Sequence, residues 1–323
     1  MNTDNLVFIW GTSYGGVPVH DGPGVTFGLY AHLFGKRWEQ WDTTNLSNMP
    51  DSVRQAKYAL VNIFHTADCL HIEQIRAVNP NCFIVGCVDP CLDIVLNHPE
   101  WTNIYRQLSL CDAIGGRTYA DCSVYGPLLG KPAHWLPCPI GPTAWFSALR
   151  DEPTEDYLIT LDHSFDNVNT MYNVLACAAI QKNTDCRVIY VAARDWTRGY
   201  ADLAGLTCEW LPAIGIQEMA RLTARARLCV DMYAAHAVGR HAILCAMVGT
   251  PCITSSTCAD LPMWRYDATD QMKDIVRTGI RMILMDNPKR DAYVEFVTDE
   301  VERKYSFAAC RHRLEKIMEA LKR

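Results

Sequence analysis

Three features are missing from the sequence, and each absence excludes a class of protein. No apolar run approaches the roughly 20 residues that a membrane-spanning helix needs, so we do not expect a membrane span. Basic residues are not in excess: the formal net charge is −6 and the isoelectric point is about 5.9, which disfavours binding to nucleic acid. The first residues, MNTDNLVFIW, lack the basic region and apolar core of a secretory signal, and we therefore expect a cytoplasmic protein.

Cysteine is abundant, but the usual metal-ligand spacing is missing. The chain has 15 cysteines and no CxxC pair. Most of them lie inside apolar runs, where a reduced cysteine packs as a small hydrophobic residue. Cys82, Cys87 and Cys91 lie near Asp89 and come closest to a ligand cluster, yet their spacing matches no structural zinc pattern. The sequence therefore predicts no metal site, with a metal in this cluster as the minor alternative.

What the sequence does contain is an alternation of β-like and helical runs. The predicted strands are 6–10, 37–41, 58–64, 82–88, 112–115, 134–137, 157–161, 187–192 and 208–211, and the predicted helices are 25–34, 67–78, 119–129, 167–181 and 216–226. Strands joined by helices of this length favour right-handed βαβ units and a parallel sheet. The predicted fold class is α/β, with two Rossmann-like domains and a ligand cleft at the carboxyl ends of the strands.

Residues 140–154, IGPTAWFSALRDEPT, interrupt this alternation. Pro142, Pro153 and several charged side chains lie close together here, a composition that is typical of a link between domains. We therefore predict a first domain over residues 1–150 and a second over residues 151–323.

Residues 228–256, LCVDMYAAHAVGRHAILCAMVGTPCITSS, predict an anion site. They combine a β run, a short loop and a helix that begins at Gly239 and Arg240. The first backbone N–H groups of a helix have no helical partner, and the helix dipole favours negative charge there. Gly15 and Gly16 follow the first strand and would also let backbone approach a ligand, although they form no GxGxxG fingerprint and a flexible turn is the alternative.

The layout of residues 228–256 resembles the donor-binding segment of the GT-B glycosyltransferases, especially the retaining glycosyltransferase family 4. Two further stretches resemble this family: CDAIGGRTYADCSVYGPLLGKPAHWLPCPIG, and the turn KYSF at 304–307, where Ser306 is placed to cap the last helix. The resemblance implies a first domain that takes the acceptor, a second that binds the nucleotide sugar, and C-terminal helices that brace the pair. It also implies a retaining transfer that needs no metal or cofactor, from a donor such as a UDP-sugar.

The resemblance also points to catalytic residues, although the chain departs from the family pattern. His65 follows a predicted strand and matches a family histidine that contacts the transferred sugar, whereas Asp89 replaces a second one. Asp89 would act as general base on the acceptor hydroxyl or cap the following helix. Of the two family glutamates, His236 stands at the first position and Leu244 at the second, where we expect helix core.

The loop that binds the donor diphosphate in the family is the stretch of this chain that differs most from the family pattern. Where the family has an Arg and a Lys that hold the donor diphosphate, the stretch ITLDHSFDNVNT offers Asp162 and His163. Each lost charge-assisted contact would weaken phosphate binding by about 1.5–3 kcal/mol. Arg194, Arg198 and Arg240 are the nearby cations that would compensate, with Arg240 best placed at the helix N-terminus.

The leading hypothesis is a glycosyltransferase that moves a sugar from a nucleotide sugar to a hydroxyl acceptor. A glycan or lipid-linked sugar is the favoured acceptor, and a modified nucleobase in viral DNA is a narrower alternative. The rival hypothesis is a non-catalytic GT-B-like binding or scaffold protein that has lost its donor-site residues. A sugar-nucleotide epimerase of the same fold is a third, with no residue in its favour.

Overall fold

The computed structural model describes residues 5–11, 24–25, 27–43, 45–63, 70–88, 101–162, 167–232, 239–255, 264–266, 271–285 and 287–320. The strands are β1 (Leu6–Gly11), β2 (Gly24–Val25), β3 (Trp38–Glu39), β4 (Tyr58–Ile63), β5 (Phe83–Val88), β6 (Ala113–Gly116), β7 (Ala133–Trp135), β8 (Ile140–Gly141), β9 (Glu155–Leu161), β10 (Arg187–Val191), β11 (Glu209–Leu211), β12 (Ala226–Asp231), β13 (Cys252–Ser255) and β14 (Trp264–Tyr266). The helices are α1 (Leu29–Leu33), α2 (Asp51–Arg54), α3 (Leu70–Val78), α4 (Trp101–Ser109), α5 (Tyr119–Leu129), α6 (Thr143–Ser147), α7 (Asn167–Thr184), α8 (Asp195–Ala204), α9 (Ile216–Arg225), α10 (Arg240–Val248), α11 (Met272–Ile283), α12 (Asn287–Tyr305) and α13 (Phe307–Ala320). The predicted alternation of strands and helices is confirmed.

The first unit takes its residues from Met1–Gly22, Thr26–Ile140 and Tyr305–Arg323. Its six strands pair in parallel in the order β3-β1-β4-β5-β6-β7. β4 and β5 are buried along nearly their whole length, as expected for parallel strands with both faces covered. Counted along the chain, the order is second-first-third-fourth-fifth-sixth, the doubly wound pattern of flavodoxin-like folds.

The last helix, α13, packs on this first unit. The Arg311 guanidinium lies 5.1 Å from the ring centre of Phe34 and donates to the carbonyl oxygen of Leu33 at 3.3 Å. At the start of the helix, the backbone N–H of Ala309 donates to Oγ of Ser306 at 3.3 Å. The cap predicted for Ser306 is therefore confirmed.

The second unit takes its residues from Pro23–Val25 and Gly141–Lys304. Its six strands are also parallel, in the order β11-β10-β9-β12-β13-β14. Along the chain this reads third-second-first-fourth-fifth-sixth, the strand order of Rossmann folds. Apolar side chains from β9, β10, β12 and β13 pack with those of α7 and α11 on one face of the sheet.

Several segments differ from the sequence predictions. Helix α1 begins at Leu29, later than the helix predicted over 25–34, because Val25 belongs to β2, and helix α4 was not predicted. Residues 195–204 form helix α8, which was not predicted, and only Thr197 and Ala201 of this helix are buried. Residues 143–147 of the proposed link form α6, and Arg150 Nε donates to the carbonyl oxygen of Met247 at 2.9 Å. The units therefore divide at Ile140 and Gly141, upstream of the predicted boundary at 150, because residues 141–154 pack within the second unit.

Candidate functional site

The strand order of the second sheet reverses between β9 and β12, and open α/β sheets bind ligands outside the carboxyl ends of the strands at such a reversal. Predicted site residues follow three adjacent strands here: Arg194 follows β10, Asp162 follows β9, and Gly239 with Arg240 follows β12. Helix α10 connects the parallel strands β12 and β13, so its N-terminus lies at the same carboxyl edge. The structure thus brings the described part of the predicted donor site to one edge of one sheet.

Asp162 is the hydrogen-bonding centre of this edge. It is 8% exposed, and its Oδ1 accepts from the hydroxyls of Thr170 at 2.9 Å and Tyr190 at 2.8 Å. Its Oδ2 accepts from the backbone N–H of Arg194 at 3.1 Å and from the hydroxyl of Thr197. Each carboxylate oxygen therefore has two protein donors, and the residue joins β9 to β10, α7 and the start of α8.

The ends of β9 and β12 are also tied together. The buried amide of Asn173 accepts from the backbone N–H of Met232 at 2.8 Å and donates to the carbonyl oxygen of Leu161 at 3.4 Å. On the next strand, the hydroxyl of Thr254 donates to the carbonyl oxygen of Asp231 at 2.8 Å. These side-chain bonds hold the edge in one arrangement before any ligand arrives.

Gly239 precedes α10 in a left-handed conformation, with φ of 65° and ψ of 46°, a region that side chains with a Cβ rarely enter. Arg240 is exposed and is the first residue of the helix, whose first turn contains no acidic residue. A cation at a helix N-terminus opposes the helix dipole and costs about 0.3–1 kcal/mol. This local conflict marks Arg240 as a candidate anion ligand, because a bound anion would reverse the sign of the effect.

Arg194 is partly buried, and its guanidinium lies 4.9 Å from the ring centre of Trp196. Stacking on an indole orients the plane of a guanidinium and restricts its motion. On α10, Leu244 is 1% exposed, so the expectation that it belongs to the helix core is confirmed.

Beneath the start of α10 lies a buried group of potential metal ligands, Cys229, His241 and Cys245. Cys252 lies beside Cys229 on the neighbouring strand, and we name the four residues the Cys₃His cluster. Burial by itself would raise the pKa of the Cys245 thiol, but hydrogen bonds with Cys229 and Cys252 and the nearby imidazole hold this pKa well below its usual range. Burial would likewise lower the pKa of His241, but Cys245 raises it to about 9. The cluster is absent from the sequence predictions, although His241 and Cys245 are spaced for one helix face.

In the first unit, the carboxyl edge carries a buried arginine that is also absent from the sequence predictions. Arg117 directly follows β6 and is 6% exposed. It donates to the side-chain oxygen of Asn62 at 3.1 Å, and its guanidinium lies 4.7 Å from the ring centre of Phe27. Trp135 Nε1 donates to the carbonyl oxygen of Arg117 at 3.0 Å. A charged residue directly after the apolar strand AIGG was the available sequence signal.

Six predicted site residues lie outside the described residues, and their roles stay predictions: Gly15, Gly16, His65, Asp89, His163 and His236. Among the described parts of the chain, no helix is both long and apolar enough to cross a membrane.

No protein-family model matches the chain, and no curated protein matches it. Solved structures do. A UDP-forming α,α-trehalose-phosphate synthase from Burkholderia xenovorans is similar with a TM-score of 0.68 at 11% identity, over 85% of this chain and 76% of that one. The trehalose-6-phosphate structure from E. coli with bound UDP-2-fluoro glucose has the same TM-score and identity, over 98% and 92% of the two chains.

TarM from S. aureus in complex with UDP is also similar, with a TM-score of 0.63 at 8% identity, over 81% of this chain and 55% of that one. Together with the two parallel six-stranded sheets, these likenesses decide the fold. The chain has the GT-B fold. Because the identities are so low, the likeness concerns the GT-B fold and not the reaction.

Proposed function

We propose that the protein is a glycosyltransferase that moves a sugar from a nucleotide-sugar donor, such as a UDP-sugar, to an acceptor hydroxyl. The observation that carries the proposal is that α10 begins, after the left-handed Gly239, at the carboxyl edge where the second sheet reverses its strand order. Nucleotides bind in this crevice of α/β sheets. Similar structures that contain UDP or UDP-2-fluoro glucose support the same ligand class.

In this proposal the donor phosphates lie against the first turn of α10. The N–H groups of that turn have no helical partners and bind the phosphate oxygens, and the Arg240 guanidinium neutralises the leaving nucleoside diphosphate. Arg194, two strands away across β9, supplies a second cation. Asp162, whose oxygens are occupied by protein donors, holds the end of β9 to β10, α7 and the start of α8, and its direct contact with a sugar donor stays a prediction.

The catalytic residues of the proposal rest on the sequence alone. His65 contacts the transferred sugar, Asp89 takes the proton of the acceptor hydroxyl, and His236 bonds the sugar or the phosphate. We further propose that the first unit takes a glycan or lipid-linked sugar acceptor and that the transfer retains the anomeric configuration without a metal ion. Two measurements test the last two points. NMR of the product should show a retained anomeric configuration, and the transfer rate should not change when Mg²⁺ is added.

The test is a thermal-shift panel of UDP-, GDP-, ADP- and CMP-sugars, followed by calorimetry with the donor that raises the melting temperature. Arg240→Ala should bind this donor about tenfold more weakly, the effect of one lost charge-assisted bond. The same variant should be at least as stable as the wild type without donor, since it removes the conflict with the helix dipole. Arg277→Ala is the matched control, because Arg277 is an exposed helical arginine of the same unit, paired with Asp274.

The assay then measures release of nucleoside diphosphate in the presence of candidate acceptors. Acceptor-dependent release that falls in Arg240→Ala supports transfer. Donor binding without release from any acceptor favours the non-catalytic binding protein. A panel in which no donor changes the melting temperature contradicts the glycosyltransferase and favours the non-catalytic protein that has lost its donor-site residues.

A further inference from the structure

The Cys₃His cluster is assembled from three consecutive elements of the second unit. Cys229 on β12 and Cys252 on β13 are direct partners in the parallel register, so their side chains project from the same face of the sheet. His241 and Cys245 are four residues apart on α10, which places both on one face of that helix. The helix covers the strand pair, and Cys229, His241 and Cys245 meet at the interface with Cys252 beside them.

The measured distance between Cys229 and His241 is that of a tetrahedral metal site, and Cys245 lies within reach of both. Tetrahedral zinc with Zn–S of about 2.3 Å and Zn–N of about 2.0–2.1 Å requires a sulfur–nitrogen separation of about 3.6 Å and a sulfur–sulfur separation of about 3.8 Å. Cys229 Sγ and His241 Nδ1 are 3.6 Å apart. The ligand atoms of Cys229, His241 and Cys245 all lie within 4.8 Å of one another.

Cys252 is the fourth candidate ligand, beside the three whose ligand atoms all lie within 4.8 Å of one another, and it must move closer to His241 to share an ion with it. Its thiol interacts with those of Cys229 and Cys245, and all three cysteines are 0% exposed, while His241 is 5% exposed. Three thiolates and one imidazole are a common ligand set of structural zinc sites. Because thiolates are soft ligands, this set favours zinc over magnesium or calcium. Four protein ligands leave no open position for substrate.

The second nitrogen of the imidazole is also engaged. His241 Nε2 lies 3.3 Å from the hydroxyl of Thr223 on α9, while Nδ1 faces Cys229. The hydroxyl of Thr250 in turn donates to the carbonyl oxygen of Thr223. A hydrogen-bond partner on the outer nitrogen is the arrangement that orients a metal-ligating histidine.

We infer that the Cys₃His cluster binds one Zn²⁺ ion as a closed structural site. The ion clamps α10 to β12 and β13, and so fixes the helix whose N-terminus we assign to the donor phosphates. Binding displaces to solvent the protons that the thiols and the imidazole carry on their ligand atoms. The site is separate from the transfer reaction, and its test does not depend on whether the protein proves to be a glycosyltransferase.

The test measures metal content directly. The full chain is purified without chelator and its metals are quantified by mass spectrometry, and we expect about one zinc per chain, the capacity of one four-coordinate site. After unfolding in EDTA and refolding, addition of ZnCl₂ should raise the melting temperature. CoCl₂ in its place should give the thiolate-to-cobalt charge-transfer absorption, which reports sulfur ligands in the folded wild type without any substitution.

Two variants localise the site. Cys245→Ala should lose zinc by about tenfold or more, the scale on which even indirect partners of a metal act. Cys177→Ala is the matched control, because Cys177 is a free cysteine that is equally buried in the same unit but lies on α7. It should lose stability through its cavity and keep its zinc.

The inference is overturned if wild-type protein, both as purified and after refolding with ZnCl₂, contains less than about a tenth of an equivalent of zinc and shows no cobalt charge-transfer band. The cluster would then be a hydrogen-bonded group of thiols around an imidazole. Zinc that is lost equally from Cys245→Ala and Cys177→Ala would also contradict it. If Cys245→Ala fails to fold, the cobalt spectrum of the wild type still decides.

Discussion

The two units of this protein share a layout and differ in the side chains that fill it. Both have six parallel strands in a doubly wound order, and both bury several cysteines. In the first unit, Cys87 packs against Gly115 and Cys111 against Gly86, so closely that an added Cβ would lie 2.3 Å and 2.6 Å from the two sulfurs. These cysteines act as small apolar side chains in places where a larger one does not fit.

In the second unit, buried cysteines meet a histidine instead, and the same residue type becomes a candidate metal ligand. The carboxyl edges differ in the same manner. The second sheet has the left-handed Gly239 and the cation Arg240 at the start of α10, whereas the first has the buried Arg117 against Asn62. A shared fold therefore leaves the assignment of function to a few side chains in each unit.

We expect the largest difference in stability between the two units when a buried aspartate is replaced in each. Asp162 and Asp121 are 8% and 7% exposed, but Asp162 joins several elements while Asp121 forms a local capping box with Thr118. Asp162→Ala should lower the free energy of unfolding by about 3–5 kcal/mol, because it leaves four donors without their acceptor. Asp121→Ala should cost about 1 kcal/mol, the effect of a lost helix cap.

Urea denaturation of both variants measures the difference, with Asp202→Ala as the exposed control on α8. Equal losses for Asp162→Ala and Asp121→Ala would mean that the hydrogen bonds of Asp162 do not organise the carboxyl edge.

We expect the next largest loss of folding stability from replacing a glycine with left-handed backbone conformation in each unit. Gly239 has φ of 65° before α10, and Gly130 has φ of 61° after α5, where an added Cβ would meet open space. Replacing either with alanine should cost about 1–2 kcal/mol of folding stability. Calorimetry should show that Gly239→Ala alone also weakens donor binding, because its methyl group and backbone strain lie at the proposed phosphate site. Equally weakened donor binding in Gly130→Ala would contradict the placement of the phosphate site at Gly239.

The smallest effect concerns pH and His134 on β7. Burial lowers the pKa of His134 below its ordinary value of 6.5, so the unfolded chain takes up a proton near pH 6.5 that the folded chain does not. His134 therefore makes stability fall as pH drops through 6.5 toward the lower folded pKa. His134→Gln should lose less stability than the wild type between pH 8 and pH 5.5 in urea denaturation. His312→Gln, at an exposed position of α13, should behave as the wild type, and an unchanged profile in His134→Gln would contradict the account.

Sequence periodicity predicted the fold well because buried parallel strands are continuous apolar runs. The helix Tyr119–Leu129 agrees with its prediction at both ends, since Thr118 and Gly130 are strong start and stop residues. Helix α8 was not predicted, and its large apolar side chains Trp196, Tyr200 and Leu203 are exposed instead of joining the core.

The candidate site was predicted less completely. Gly239 and Arg240 could be predicted from the local sequence, because glycine lets the backbone approach a ligand and a helix N-terminus binds anions. The four donors around Asp162 and the meeting of Cys229 with His241 depend on strand register and were not visible along the chain. The burial of Asp162 among its partners likewise needs the folded sheet, since they lie 8, 28, 32 and 35 residues along the chain on three different elements.

The most direct test of the central claim is hydrogen exchange with and without the donor that raises the melting temperature. If the nucleotide binds where the second sheet reverses its strand order, the donor should slow exchange most in residues 239–248 and 155–162. Residues 113–129 of the first unit, which also contain a strand and the start of a helix, serve as the internal comparison and should change less. Protection confined to the first unit, or absent from residues 239–248, would contradict the account.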